Sequence, residues 1–305
     1  MRDRFPTEAA CRAYLVGLRW PEGIICPACA AKDIWEMKAP LYRCACCKHD
    51  FSVTSGTLFA DTHKPLRLWV EAIWDVTNQK SGASALGLQR VLGLGSYRTA
   101  WNWLHKLRRA MVRPGRDRLS GVVEVDEVFI GGPRPGKRGR GAAGKSLVMI
   151  AAQADGKKIG RIRMIRIADA SAANLLPALV QSVEPGTLVQ TDGWKAYAGL
   201  KDLGYEHQVI HQSDELGENL LPKINLTVSL LKRWLLGTHQ GSVRPQHLDY
   251  YLDEFTFRFN RRTSKSRGLL FYRLLQQAVV LEPVRGKDLV GGRLLENAEI
   301  TTDGI

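Results

Sequence analysis

The sequence contains no long hydrophobic run. No apolar stretch approaches the ~20 residues that a membrane-spanning helix needs, and the first residues, MRDRFPTEAACRAY, lack the apolar core of a secretory signal. Cysteine is scarce outside one short stretch, since five of the six cysteines lie within residues 26–47. These absences argue against a membrane protein and against a disulfide-stabilised secreted protein. We therefore expect a cytoplasmic protein with reduced thiols.

Acidic residues are also fewer than basic residues. The chain of 305 residues has 44 Lys and Arg against 30 Asp and Glu, a formal net charge of +14. The basic residues cluster in LHKLRRAMVRPGRDR, PRPGKRGRG and RFNRRTSKSR. Such clustering favours nucleic acid as the partner over a membrane surface, and over a protein that is merely basic and soluble. With 45% hydrophobic residues, the composition is that of a globular protein with two or three domains.

The cysteine-rich stretch has the spacing of a metal site. Cys26 and Cys29 form one C-x-x-C pair, and Cys44 and Cys47 form a second. The segment between the pairs is long enough for a hairpin that brings them together as four thiolate ligands, which suits structural Zn²⁺. Cys46 leaves the register of the second pair open, because CACC can be aligned in two ways. The pattern predicts a zinc ribbon.

Helical periodicity follows the ribbon. KPLRLWVEAIWDVTN has apolar residues at helical spacing, and GASALGLQRVLGLGSYRTAWNWLHKLRRAM predicts a helix over Ser84 to Leu92, a turn at Gly93–Gly95 and a helix from Ser96 to Met111. A basic stripe runs along the last helix, formed by Arg98, Lys106, Arg108 and Arg109. This pattern is typical of a DNA-binding helix-turn-helix, with Arg98 and Lys106 as candidate DNA contacts. A helical spacer without DNA contacts is the alternative.

A β-rich pattern begins at residue 122, after the linker-like RPGRDRLSG. VVEVDEVFIGG, SLVMIAAQA, IGRIRMIRIAD, TLVQTDGWKAY and EHQVIH read as five strands, with a helix in SAANLLPALVQSV between the third and fourth. Helices follow the fifth strand. The order predicts an α/β domain with a mixed five-stranded sheet flanked by helices.

One motif suggests a nucleotide site. Residues 139–146, GRGAAGKS, match the phosphate-binding pattern G-x-x-x-x-G-K-[ST]. That loop works only between a strand and a helix, whereas here a Pro/Gly/Arg-rich stretch precedes it and a strand pattern follows. We therefore expect a basic loop that contacts DNA, and no ATP.

Two aspartates lie where the predicted strands should be apolar. Asp126 is inside the first strand and Asp192 ends the fourth, and on neighbouring strands these carboxylates would bind Mg²⁺ or Mn²⁺. In HLDYYLDEFTFRFNRR, Glu254 lies beside Arg258 and Arg261 on one helix face, and predicts a third metal ligand flanked by phosphate contacts. A solvated helix with a Glu254–Arg258 pair is the alternative. Lys232, Arg233 and His239, in LLKRWLLGTHQG, are further candidate phosphate contacts.

These motifs together resemble a DDE-type transposase of bacterial insertion sequences, of the group with an N-terminal zinc ribbon. The motifs are RWPEGIICPAC, YRCACCKHDFSVTSGT, VEVDEVFIGG, GRGAAGK, QTDGWKAY, LLKRWLLGTHQG and HLDYYLDEFTFRFNRR. The resemblance implies an RNase H-like catalytic core, two divalent metals, and cleavage and joining of double-stranded DNA at element ends. It matches Asp126 and Asp192 to the first two acidic positions, and leaves Glu254 or Asn260 for the third. The family often has His shortly before LLKRWLL, where this chain has Asn225.

The resemblance also sets the expected organisation and partners. We expect a helix and zinc ribbon over 1–60, a helix-turn-helix-like region over 61–113, an RNase H-like domain over 121–282 and a flexible tail over 283–305. The partners would be transposon ends and target DNA, bound by a homo-oligomer in the bacterial nucleoid, with no membrane. The alternative function is an inactive zinc-ribbon DNA-binding protein derived from a transposase.

Overall fold

The computed structural model describes residues 3–38, 40–113, 115–131, 145–210, 220–241 and 243–292, without the side chain of Arg267. The chain divides into two compact units. The first combines residues of Met1–Arg113 with residues of Ser264–Val290, and the second is formed within Pro114–Thr263. Among the described residues, no helix is both long and apolar enough to cross a membrane.

The first unit begins with a helix and a small antiparallel sheet. Its elements are α1 (Glu8–Arg19), β1 (Ile34–Glu36), β2 (Leu41–Cys44) and β3 (Asp50–Ser52), and the strands pair in the order β1-β2-β3. One face of the sheet is buried by aromatic contacts, because Tyr42 and Phe51 pack against Trp20 with ring centroids 6.2 Å and 5.9 Å away. This packing gives the short strands a core that their length alone would not provide.

Three helices follow in the same unit. They are α2 (Leu66–Asn78), α3 (Ala85–Leu92) and α4 (Tyr97–Arg109). The Ser84 hydroxyl caps α3 by accepting a hydrogen bond from the Gly87 N–H at 3.0 Å. α3 ends at Gly93, whose φ of 61° is the left-handed conformation that glycine adopts at little cost. The predicted helix–turn–helix order is therefore present.

The second unit is built on the predicted sheet. Its elements are β4 (Val122–Ile130), β5 (Ser146–Asp155), β6 (Lys158–Ile167), α5 (Ala172–Ser182), β7 (Leu188–Thr191), a 3-10 helix (Lys195–Leu200) and β8 (Glu206–Val209). The strand order is β6-β5-β4-β7-β8. β4, β5 and β6 pair antiparallel, whereas β7 is parallel to β4 and to β8. The mixed five-stranded sheet flanked by helices is confirmed.

Helices cover both faces of this sheet. α5 packs on one face, with Leu175 and Leu179 buried against Val123 and Val125. The other face is covered by α6 (Pro222–His239) and, after a 3-10 turn at Pro245–His247, by α7 (Leu248–Phe259). α6 contacts β4 and β5, and α7 contacts β6. The apolar side chains that recur at helical spacing in α7 are buried there: Leu248, Leu252, Phe255 and Phe259.

Two more helices complete the described chain, α8 (Arg267–Ala278) and α9 (Gly286–Gly291). The sequence predicts one catalytic domain over 121–282, but α8 packs against α2 in the first unit, where Phe271 meets Trp74 with ring centroids 5.9 Å apart. α9 lies within the predicted tail 283–305, and residues 293–305 are outside the described part of the chain.

The phosphate-loop match falls largely outside the described residues, which resume at Lys145. The next residue, Ser146, begins β5. The prediction of a strand after the motif is confirmed. A phosphate-binding loop is followed by a helix, so this context does not fit one.

Candidate metal sites

Four cysteines of the first unit converge on one point. The Sγ atoms of Cys26 and Cys47 are 3.6 Å apart, and those of Cys29 and Cys44 are 3.5 Å apart. All four Sγ atoms lie within 4.8 Å of one another. Sulfurs bound tetrahedrally to zinc at ~2.3 Å would be about 3.8 Å apart, so the four thiols fit structural Zn²⁺. Cys46 is exposed and lies outside this set, which settles the register of CACC.

Two tight turns hold the cysteines in place. The N–H groups of Ala28 and Cys47 donate to the sulfurs of Cys26 and Cys44, at 3.4 Å and 3.5 Å. The hydrogen bond from Cys47 is the main cause that lowers the pKa of Cys44 to about 7. A thiol of that pKa is readily deprotonated, and the thiolate is the form that binds zinc.

The second candidate site lies on the central strands of the second unit. β4 and β7 pair in parallel, with Glu124 opposite Gln190. The paired positions end there. Asp126 lies two residues further along β4, on the same face as Glu124, and Asp192 directly follows β7. Asp126 is half-buried and Asp192 is exposed. The two aspartates predicted from the sequence therefore lie at the same end of two neighbouring parallel strands.

A tight turn fixes Asp192 where β7 ends. The Asp192 Oδ1 atom accepts a hydrogen bond from the Trp194 N–H at 3.0 Å. Between them, Gly193 has a φ of 84°, and a Cβ added there would come within 2.6 Å of the Val209 side chain. A larger residue would both strain the backbone and displace β8, so glycine is required.

A buried tyrosine binds Glu127 and senses the charges of the two aspartates. The Tyr197 hydroxyl donates a hydrogen bond to Glu127 Oε2 at 3.0 Å. Burial raises the pKa of Tyr197 well above its usual range, and the charges of Glu127, Asp126 and Asp192 raise it further. The three carboxylates thus create a negative potential at one hydroxyl. A divalent cation with oxygen ligands suits such a potential. Tyr197 and Glu127 were not predicted, although Glu127 directly follows VEVD and Tyr197 is the last residue of TDGWKAY.

Glu254 is placed differently from the sequence prediction. Its side chain is 0% exposed, and its Oε1 atom accepts hydrogen bonds from Arg258 Nη2 at 2.7 Å and Nε at 2.8 Å. Within the described residues, the cysteines are the one set of three or more potential ligands whose donor atoms all lie within 4.8 Å. The structure therefore does not bring Glu254 together with Asp126 and Asp192 at that distance.

Asn260, the other residue considered for the third acidic position of the family, binds the backbone of an edge strand. Its Oδ1 atom accepts from the Ile162 N–H at 2.7 Å and its Nδ2 donates to the Ile162 carbonyl at 3.0 Å. Ile162 belongs to β6, which β5 separates from β4. The Asn260 side chain therefore satisfies backbone groups of an edge strand.

We expect Glu254→Gln to lower the stability of the protein more than its activity. Removing one partner of a buried ion pair leaves the other charge uncompensated, so the free energy of unfolding should fall by about 3 kcal/mol. Strand cleavage per folded molecule should change less than about tenfold, far less than loss of a metal ligand would cause. Denaturant unfolding and a cleavage assay on the same preparation measure both quantities. Arg258→Gln is the matched control, because it breaks the same pair from the other side.

The helix beside β4 is α6. Its first turn meets the sheet through Glu124, which accepts hydrogen bonds from the N–H groups of Lys223 and Ile224 at 2.8 Å and 3.0 Å. Asn225 follows in the same turn and is exposed. Lys232, two turns later, is on the same side of the helix and is also exposed. α6 therefore carries exposed polar side chains on a helix that contacts β4.

The basic residues predicted to contact DNA differ in exposure. Arg98, Lys232 and Arg233 are exposed. Lys106 is partly buried, and burial lowers its pKa. Arg108, in the same predicted stripe, is only 2% exposed. The accessible part of α4 is therefore its N-terminal end.

The remaining predicted contacts have partners inside the protein. His239 packs edge-on against the Tyr251 ring, with centroids 4.6 Å apart. The Arg261 guanidinium lies 4.2 Å from the centroid of the Phe257 ring, and Arg258 is held in the ion pair described above. These side chains are less accessible to a DNA backbone than Lys232 and Arg233, which are exposed on α6.

Comparison with known proteins extends these observations. Residues 118–260 match the family of ISXO2-like transposase domains, and residues 6–50 match the transposase zinc-ribbon domain. The chain is 26% identical over 275 residues to an uncharacterized protein in transposable element ISH50 of Halobacterium salinarum, covering 83% of this chain and 91% of that protein. It is 25% identical over 122 residues to an uncharacterized transposase-like protein of Haemophilus influenzae, covering 39% of this chain and 98% of that protein. The first family match contains the aspartate pair, and the second contains the cysteines.

Proposed function

This chain belongs to the insertion-sequence transposases with an N-terminal zinc ribbon, and on that premise we propose that it cleaves DNA strands at the ends of an insertion sequence and joins them to target DNA. The observation that supports the proposal is the parallel pairing of β4 with β7, because Asp126 lies on β4 two residues past the last paired position and Asp192 directly follows β7.

The proposed architecture is an RNase H-like core with a helix-turn-helix. The RNase H-like core is supported by three antiparallel strands followed by two parallel ones, in the order β6-β5-β4-β7-β8. The helix-turn-helix is supported by α3, the turn at Gly93 and α4, whose exposed N-terminal end carries Arg98. We assign this end to the transposon DNA, because recognition helices contact bases near their N-termini.

The carboxylates of Asp126 and Asp192 would bind Mg²⁺ or Mn²⁺. When bound, the metal supplies charge stabilisation at the reacting phosphate and lowers the pKa of the attacking hydroxyl. Because Glu254 is committed to Arg258, we assign the third oxygen ligand to Asn225, in the first turn of the helix that contacts β4. Tyr197 holds Glu127 on the opposite face and so keeps its carboxylate directed away from the pair.

The proposed chemistry has two steps at phosphorus. In the first, water attacks the phosphate at the element end, the bond from phosphorus to the 3′-oxygen breaks, and a free 3′-hydroxyl remains. In the second, that hydroxyl attacks a phosphate of the target strand and displaces its 3′-oxygen. Lys232 and Arg233, which are exposed on α6, would hold the DNA backbone during both steps. Because two element ends react, we propose that the protein acts as a homo-oligomer on DNA.

Labelled DNA carrying the ends of the element tests this proposal. With Mg²⁺, the protein should produce strands with a free 3′-hydroxyl and, when target DNA is added, joined products, and a chelator should abolish both. Tight binding to the same DNA without products at any Mg²⁺ or Mn²⁺ concentration would favour an inactive DNA-binding protein derived from a transposase.

A further inference from the structure

Glu124 is a buried charge that the proposed chemistry does not use. It lies in the middle of the sheet on β4 and is 2% exposed. A buried carboxylate is costly unless hydrogen bonds or an ion pair compensate it. Its hydrogen bonds all reach the start of α6: from the N–H groups of Lys223 and Ile224 at 2.8 Å and 3.0 Å, and from Lys223 Nζ at 3.1 Å.

These contacts replace a cap that α6 lacks. The first N–H groups of a helix have no acceptor within the helix, and a side-chain oxygen at the N-cap usually provides one. The N-cap of α6 is Leu221, which has no side-chain oxygen and is buried in the apolar core. Glu124 supplies the acceptor from another element, and its negative charge suits the positive end of the helix dipole.

Glu124 also lies close along β4 to one of the proposed metal ligands. Glu124 and Asp126 are two residues apart on β4 and therefore lie on the same face, one pleat apart. Opposite Glu124 is Gln190, two residues before Asp192. The carboxylate that holds the start of α6 is thus attached to the same stretch of backbone as the aspartate pair.

We propose that Glu124 is a positioning residue, which holds the first turn of α6, with Asn225, at a fixed distance from Asp126 and Asp192. This role rests on the proposed function, because it concerns the same metal site. A hydrophobic residue at position 124 could fill the core equally well, but it would leave the N–H groups of Lys223 and Ile224 without this acceptor. Residues that orient metal ligands typically change metal affinity or activity by about 10- to 100-fold when they are replaced.

The test compares Glu124→Met, which removes the acceptor, with Asp249→Leu. Asp249 forms another partly buried ion pair between strand and helix in this unit, with Arg166 at 2.8 Å, but it joins α7 to β6. Both variants lose one carboxylate charge from such a pair, so both should be destabilised. The measurements are Mn²⁺ affinity without DNA, cleavage rate against Mg²⁺ concentration, and amide hydrogen exchange in α6. Lys223→Gln is a milder variant, since it keeps the hydrogen bonds from both backbone N–H groups.

We expect Glu124→Met to weaken Mn²⁺ binding and to raise the Mg²⁺ concentration for half-maximal cleavage, each by about tenfold, with faster exchange in the first turn of α6. Asp249→Leu should change both metal responses less than twofold, and Lys223→Gln should lie between them. Metal responses of Glu124→Met equal to those of Asp249→Leu would overturn the positioning role and leave the proposed function intact. A wild-type protein that neither binds Mn²⁺ nor cleaves DNA would overturn both.

Discussion

Replacing Asp192 with asparagine is expected to slow strand cleavage by about 1000-fold. A divalent cation contributes several kcal/mol of charge stabilisation at a reacting phosphate, and each ~1.4 kcal/mol is a factor of ten in rate. Asp126→Asn should cause a similar loss, because we propose both carboxylates as ligands of one metal site. The double variant should be no slower than the slower single variant, since residues that act as a unit are not additive.

Single-turnover cleavage of labelled element-end DNA measures these rates. Asp155→Asn is the control, because it removes an exposed carboxylate from the turn between β5 and β6 of the same unit. Binding to the DNA should persist in the variants, since the phosphate contacts that we propose lie on α4 and α6. A rate for Asp192→Asn within tenfold of the wild type would exclude Asp192 as a metal ligand.

Loss of zinc is expected to unfold the ribbon. Structural Zn²⁺ contributes on the order of 10–16 kcal/mol to the folding of small zinc domains, and here the sheet that carries the ligands has strands of only three or four residues. Cys44→Ser should therefore release one equivalent of zinc and abolish hydrogen-exchange protection within residues 6–50. A metal assay on purified protein and amide exchange measure the two effects.

Cys46→Ser is a matched control for that experiment. Cys46 is exposed, lies two residues after Cys44 and stays outside the group of four sulfurs. It should keep its zinc and its protected ribbon. Zinc retained by Cys44→Ser, or lost from Cys46→Ser, would contradict the assigned ligand set.

Local patterns in the sequence predicted much of this architecture. The two C-x-x-C pairs specify four ligands because each pair needs only a tight turn, and the alternation of apolar residues identified the five strands. Asp126 and Asp192 were predicted as metal ligands because one interrupts an otherwise apolar strand and the other ends one. These signals depend on residues close in sequence, and the structure bears out the elements that they define.

Features that depend on docking between distant elements were not predicted. The periodicity of α7 identifies its core face, but it does not say which strand that face covers: α7 contacts β6, whereas α6 contacts β4 and β5. In the same way, no local pattern marks Glu124 as buried, although α6, about 100 residues later, covers it. Arg108 reads as part of a basic surface stripe and is buried as well.

The central claim is that Asp192 binds the catalytic metal, and a change of metal preference tests it most directly. Mg²⁺ disfavours sulfur ligands, whereas Mn²⁺ tolerates them better. Cleavage by Asp192→Cys should therefore be lost with Mg²⁺ and recover by at least about tenfold with Mn²⁺, while the wild-type protein cleaves with either ion. Equal rates of Asp192→Cys in the two metals, whether both high or both abolished, would contradict the claim.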